Sequence, residues 1–149
     1  FSLWCMLAAP LMAGNDLRSV SPEVLDILTN PEVIAIDQDK LGKQGFKIRD
    51  LGEIEIFYKP LEQNEIAICI FNRFDFPVNI EFDWKTLDLK AFRDGAEVRL
   101  EENIRVNPEF NFPYTIRDLW ERKNTGTTNN NYMSQINTHD VRMLRLIRN

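Results

Sequence analysis

His139 and Asp140 stand side by side near the end of the chain. A histidine next to a carboxylate is half of a general-base pair. No motif places a nucleophile near them, so the pair reads as structural. Asp37 and Asp39 flank Gln38 and suggest a cation loop. A calcium loop would also need its central glycine and its terminal glutamate, and neither is present. These aspartates read as polar residues at a helix end. Trp84, Trp120, Tyr114 and the phenylalanines are of the type that stacks on sugar rings. Trp84 shares the phase of Val78, Ile80 and Phe82, which points it into a core. Trp120 follows a strand and is the better stacking candidate, with packing in a core or between domains the favoured reading. Cys5 and Cys69 both lie in apolar surroundings and read as free buried thiols. No metal and no cofactor is expected.

The composition sets the class. The chain has 149 residues, 44% hydrophobic and 28% charged, with a net charge of −5. That is a globular balance. The negative charge argues against nucleic acid or an anionic membrane surface as partner, since both demand a basic face. No apolar stretch reaches the roughly 18 residues of a membrane span.

The opening "FSLWCMLAAPLMAGNDLR" has an apolar run that a secretory leader would share. A leader carries a basic segment before its apolar core, and here the apolar run comes first. Residues 1–9 are apolar nearly all round, as in a buried helix. Leu11, Met12 and Ala13 form a short apolar run before the turn Gly14-Asn15-Asp16. Ser21-Pro22-Glu23 then supplies an N-cap, a first-turn proline and an acid, which together start a helix. Val24, Leu25, Ile27 and Leu28 give it a buried stripe. Asn30-Pro31-Glu32 repeats the signal ahead of Val33, Ile34 and Ile36. Helix, short buried strand and helix belong to an α/β layer, so this part reads as the end of a larger α/β domain that begins before Phe1.

After Gly45 the period becomes two. Alternation runs through residues 53–56, 66–71, 78–84, 96–100, 114–116 and 141–147, with turn signals at Lys59-Pro60, Gln63-Asn64, Phe76-Pro77, Asp94-Gly95 and Asn107-Pro108. Short strands at such spacing imply an antiparallel sandwich. Its core is expected to hold Ile54, Ile56, Ile66, Ile68, Ile70, Phe82 and Trp84. The polar stretch "KNTGTTNNN", residues 123–131, reads as an exposed loop.

"LWCMLAAPLMAGNDLR", then "SPEVLDILTNPEVIAIDQDKLGKQG", then strands ending "DLW" and "THDVRMLRL" closely resemble the α-galactosidases of glycoside hydrolase family 27, the melibiases. The resemblance runs along the whole chain and departs from the family pattern over residues 85–113. It implies a mainly β chain: an antiparallel β-sandwich, residues 46–149, preceded by the last helix-strand-helix of a (β/α)8 barrel, residues 1–45. In that register residues 1–9 are the seventh barrel helix, 11–14 the eighth strand and 21–37 the last helical region. Family members are retaining enzymes with two carboxylates about 5–5.5 Å apart. Both are aspartates on earlier barrel strands, so no catalytic residue is expected in this chain. Asp16, just after the eighth strand, is a weak candidate to support the sugar site from behind; capping the turn into the next helix is the favoured reading.

The implied partners are the rest of the barrel and an α-galactoside substrate held by it, with an oligomer of the chain left open. A secreted, periplasmic or lysosomal location is implied by resemblance alone. The alternative is a carbohydrate-binding or purely structural sandwich, and the binding module would need exposed aromatics along one sheet face. Residues 1–45, lacking both strand neighbours, are expected to be disordered, packed on the sandwich or buried against another chain.

Overall fold

The computed structural model describes residues 1–110 and 113–148. The expected sandwich end at Asn149, and Phe112 among the phenylalanines, lie outside the described residues. Three short helices come first: α1 Ser2–Met6, α2 Pro22–Leu28 and α3 Pro31–Asp37. The strands follow as β1 Phe46–Asp50, β2 Ile54–Pro60, β3 Ile66–Asn72, β4 Val78–Phe82, β5 Leu89–Arg93 and β6 Ala96–Val98. The last five are β7 Ile104–Arg105, β8 Tyr114–Asp118, β9 Lys123–Thr127, β10 Tyr132–Ile136 and β11 Val141–Arg148.

All the strand pairs are antiparallel and form two sheets, ordered β7-β1-β2-β3-β11-β8-β9 and β10-β4-β5-β6. Local chemistry sets the turns. Asp94 and Gly95 both take positive φ between Arg93 and Ala96, which pair directly, as a two-residue hairpin requires. Gln63 and Asn64 also take positive φ between β2 and β3.

The core between the sheets holds all seven expected residues, with Ile54, Ile56, Ile68, Ile70 and Phe82 fully buried and Ile66 and Trp84 at 3% and 1% exposure. A second apolar cluster covers the opposite face of the large sheet, where Phe57, Ala67, Cys69 and Met143 meet Cys5 and Met6 of α1 and Val33 and Ile36 of α3. Strand β3 is therefore buried on both faces, which is why "IAICIF" is apolar throughout.

The structure corrects the sequence reading in several places. Helix α1 stops at Met6 and not at residue 9, because Leu7 caps it and Ala8 turns to φ +50 ahead of Pro10. Residues 11–14 form no strand. A strand needs a ladder partner for its N–H and C=O groups, and among the described residues none pairs with it. Helix α2 starts where expected, with Ser21 Oγ accepting from the Val24 N–H. Its stripe is not buried, since Leu25 and Ile27 are 46% and 41% exposed. The expected loop over 123–131 is partly strand β9, an edge strand with hardly any buried side chain, so no alternation marks it. Strands β1, β5, β7 and β10 were not expected either; β7 is two residues long, and β10 carries exposed Met133 between buried Tyr132 and Ile136.

Ile68→Asp is expected to unfold the sandwich. An unpaired carboxylate at a fully buried position costs several kcal/mol. A cooperative thermal transition retained by the variant would show that the strand phase is wrong.

Candidate interface between the helical segment and the sandwich

Polar groups dock residues 1–45 onto the large sheet, and the fully buried cation among them is Lys59. Alternation along β2 sends Phe57 and Lys59 to the outer face, opposite to Ile56 and Tyr58. The Lys59 side chain is 1% exposed, and its Nζ donates to the carbonyls of Cys5 at 3.1 Å and Ile36 at 2.6 Å. These carbonyls lie in the last turns of α1 and α3; that of Cys5 also accepts from the Ala8 N–H at 3.3 Å, and that of Ile36 has Lys59 as its donor. One ammonium thus caps two helices. Burial pushes the Lys59 ammonium below its ordinary value, and the charges of Asp37 and Asp39 oppose that shift.

Asn30 makes a second bridge. Its Oδ1 caps α3 by accepting from the N–H groups of Glu32 and Val33, and its Nδ2 donates to the Leu119 carbonyl at 3.0 Å. Arg117 of β8 grips Glu32 through two hydrogen bonds, at 2.9 and 2.6 Å. Trp120 Nε1 donates to Ser2 Oγ at 2.9 Å, and its ring lies 6.5 Å from that of Phe1. Gly45 comes so close that its N–H donates to the Met6 carbonyl at 2.8 Å, and a Cβ there would sit 2.7 Å from the same oxygen. Only glycine fits.

The other candidate residues do not converge. Asp16 lies in an exposed turn, with Oδ1 accepting from the Arg18 backbone and both carboxylate oxygens bonded to its guanidinium. The Arg18 hydrogen bonds hold the Asp16 carboxyl below its ordinary range. His139 is exposed at φ +52, its Nε2 3.0 Å from Asp75 Oδ1, while the Asp140 carbonyl accepts from the Asn72 N–H in a turn. Asp39 Oδ1 accepts from the N–H groups of Leu41 and Glu62, and Asp37 is bonded to Gln38. Among the described residues no cluster of metal-ligand side chains forms, and no helix is long and apolar enough to cross a membrane. Cys5 and Cys69 are free and buried, and burial pushes their thiols up to about 11 and about 12. Trp84 is in the core, and Trp120 sits between α1 and the sheet.

Sequence reasoning took Asn30 for a helix cap and Lys59 for a turn residue, and it passed over Arg117. The lysine directly before Pro60, in phase with Phe57, was the available signal.

The same division runs through the comparisons with known proteins. A profile described as "Alpha galactosidase C-terminal beta sandwich domain" matches residues 52–146, and one described as "Alpha galactosidase A" matches residues 1–39. The chain belongs to the α-galactosidase (melibiase) family. It is 39% identical to α-galactosidase A of Cellvibrio japonicus and 33% identical to α-galactosidase 2 of Arabidopsis thaliana, over 98% and 99% of its own length. It spans 34% and 33% of those relatives. The fold matches that of α-galactosidase I from Mortierella vinacea, with a TM-score of 0.76 at 24% identity, covering 97% of this chain and 33% of that one. It also matches a β-L-arabinopyranosidase from Geobacillus stearothermophilus, with a TM-score of 0.74 at 19% identity over 99% of this chain and 28% of that one. Within this family fold, the β-sandwich is the C-terminal one.

Lys59→Met keeps the apolar stem, leaves the buried Ile36 carbonyl without a donor and leaves that of Cys5 with the Ala8 N–H alone. A loss of roughly 2–3 kcal/mol is expected, with faster amide exchange at Gly45, whose N–H depends on the position of α1. Unchanged stability and exchange would show that Lys59 does not hold the helices. A second prediction concerns acid. The Arg117 hydrogen bonds lower the Glu32 carboxyl below its ordinary value of 4.5. A carboxyl lowered on folding stabilises fully above its unfolded value, and that contribution is lost as pH falls through the folded one. Glu32→Gln should therefore lower the melting temperature at pH 7 more than at pH 3. Equal loss at both pH values would refute the ion-pair account.

Proposed function

We propose that this chain is the C-terminal part of a retaining α-galactosidase that removes terminal α-linked galactose. Residues 1–45 end its (β/α)8 barrel, and residues 46–149 form the sandwich that braces it. The chain contributes no catalytic carboxylate; the pair that does the chemistry belongs to earlier barrel strands. The observation that carries this reading is the Lys59 bridge. A sheet residue spends its charge on the ends of two helices, which is a fixture for holding α1 and α3 and not a device for binding substrate. The exposed Leu25 and Ile27 of α2, with exposed Met12 and Leu17, support the same reading, because they leave an apolar surface suited to the rest of a barrel.

The test is an assay of this chain with a nitrophenyl α-galactoside. No turnover above the blank is expected, and Asp16→Ala should change nothing. Sustained hydrolysis abolished by Asp16→Ala would overturn the assignment. In the enzyme that carries the whole barrel, Lys59→Met should shorten the half-life on heating and leave KM unchanged.

A further inference from the structure

Between β7 and the turn after β4 lies a cavity of about 370 Å³, far from the Lys59 bridge in sequence and built almost wholly from the segment that departs from the family pattern. Trp84 lines it, 1% exposed, and its indole N–H finds no acceptor among the described residues. Buried donors without acceptors are rare, and each needs a reason.

Two acceptors in the wall are already engaged. The Thr86 carbonyl accepts from Arg49 at 3.2 Å and from Arg105 at 3.3 Å, and Asn107 Oδ1 accepts from Arg49 at 2.8 Å. That leaves the Asn107 amide nitrogen as a donor. Asp83 Oδ1 accepts from the N–H groups of Lys85 and Thr86 and so fixes the turn. Arg105 is paired with Asp88 at 2.9 Å and Glu102 at 3.2 Å, and Arg49 Nε lies 3.7 Å from Glu102. Lys85 has no acidic partner among the described residues, and no carboxylate lines the cavity. Leu87, Pro108 and Phe110 supply an apolar wall.

We propose that this cavity binds a small ring-bearing carboxylate. The ligand group that meets these donors must be an acceptor with no proton of its own. A neutral sugar hydroxyl is donor as well as acceptor and would leave its own proton unmatched against this wall. A carboxylate is acceptor-only and carries the charge that complements Lys85, while its ring body packs on Phe110 and Pro108. A free aromatic acid and the uronate unit of a saccharide share this chemistry.

The experiment is a titration of the ¹⁵N-labelled protein followed at the indole N–H resonances of its three tryptophans. Trp4→Phe and Trp120→Phe identify the Trp84 signal by elimination. Benzoate or D-galacturonate is expected to move the Trp84 indole proton downfield and saturably, and D-galactose is expected to leave it in place. Lys85→Ala, at an exposed position, should weaken binding by about fivefold, the effect of one charge contact. Tighter binding of galacturonate than of benzoate assigns the site to a uronate, and the reverse order assigns it to an aromatic acid. No saturable shift with either acid, an equal response to galactose, or full affinity in Lys85→Ala would overturn the proposal.

Discussion

An ammonium group taken out of water must be given back its hydrogen bonds, or the protein does not fold around it. Lys59 receives them from two helix ends at once. The exchange works in both directions, because the last carbonyls of a helix also lack donors. Helix α1 is five residues long and could not persist alone in water. It persists because Lys59 fixes its end, because Cys5 and Met6 bury against the sheet, and because Gly45 has no side chain to push it away. With α1 and α3 set by one cation, Asn30, Glu32 and Trp120 find their partners in the loop after β8, on β8 itself and on α1.

This bridge explains the unequal sheets. The four-stranded sheet buries one face and shows the other to solvent. The seven-stranded sheet must bury both faces along β2, β3 and β11, since one meets its partner sheet and the other meets the helices. The strands that leave the helical footprint change character accordingly. Strand β9 is polar and exposed, which is how a sheet edge avoids pairing with another chain. Both cysteines fall inside the helical footprint, and burial keeps their thiols protonated and unreactive.

The buried cations do different work. Lys59 and Arg49 are both 1% exposed, and both donate to backbone carbonyls. Lys59 ties helices to a sheet. Arg49 ties β1 to the chain beyond β7 and to the turn after β4, gathering the carbonyls around the Trp84 cavity. Removing either leaves acceptors bare, the Ile36 carbonyl for Lys59 and the Val106 carbonyl and Asn107 Oδ1 for Arg49, which is costlier than losing a surface ion pair.

The sequence alone determined the sandwich, its core and its family. Isoleucines two apart in 54–56 and 66–70, and the Phe82–Trp84 phase, encode burial directly, because a strand repeats every two residues. Ser21 and Asn30 encode helix starts through local hydrogen bonds. Local signals are legible since their partners are a few residues away. The tertiary structure decided the rest. The apolar run 11–13 reads as a strand, yet a strand exists only when another chain segment supplies its ladder. The stripe of α2 reads as buried, yet burial depends on what lies against it. Strand β9 has no apolar code because its position at an edge, not its composition, makes it a strand. Lys59 looks like an ordinary lysine beside a proline, and only the meeting of α1, α3 and β2 over 54 and 23 residues of chain turns its charge into the joint that holds them.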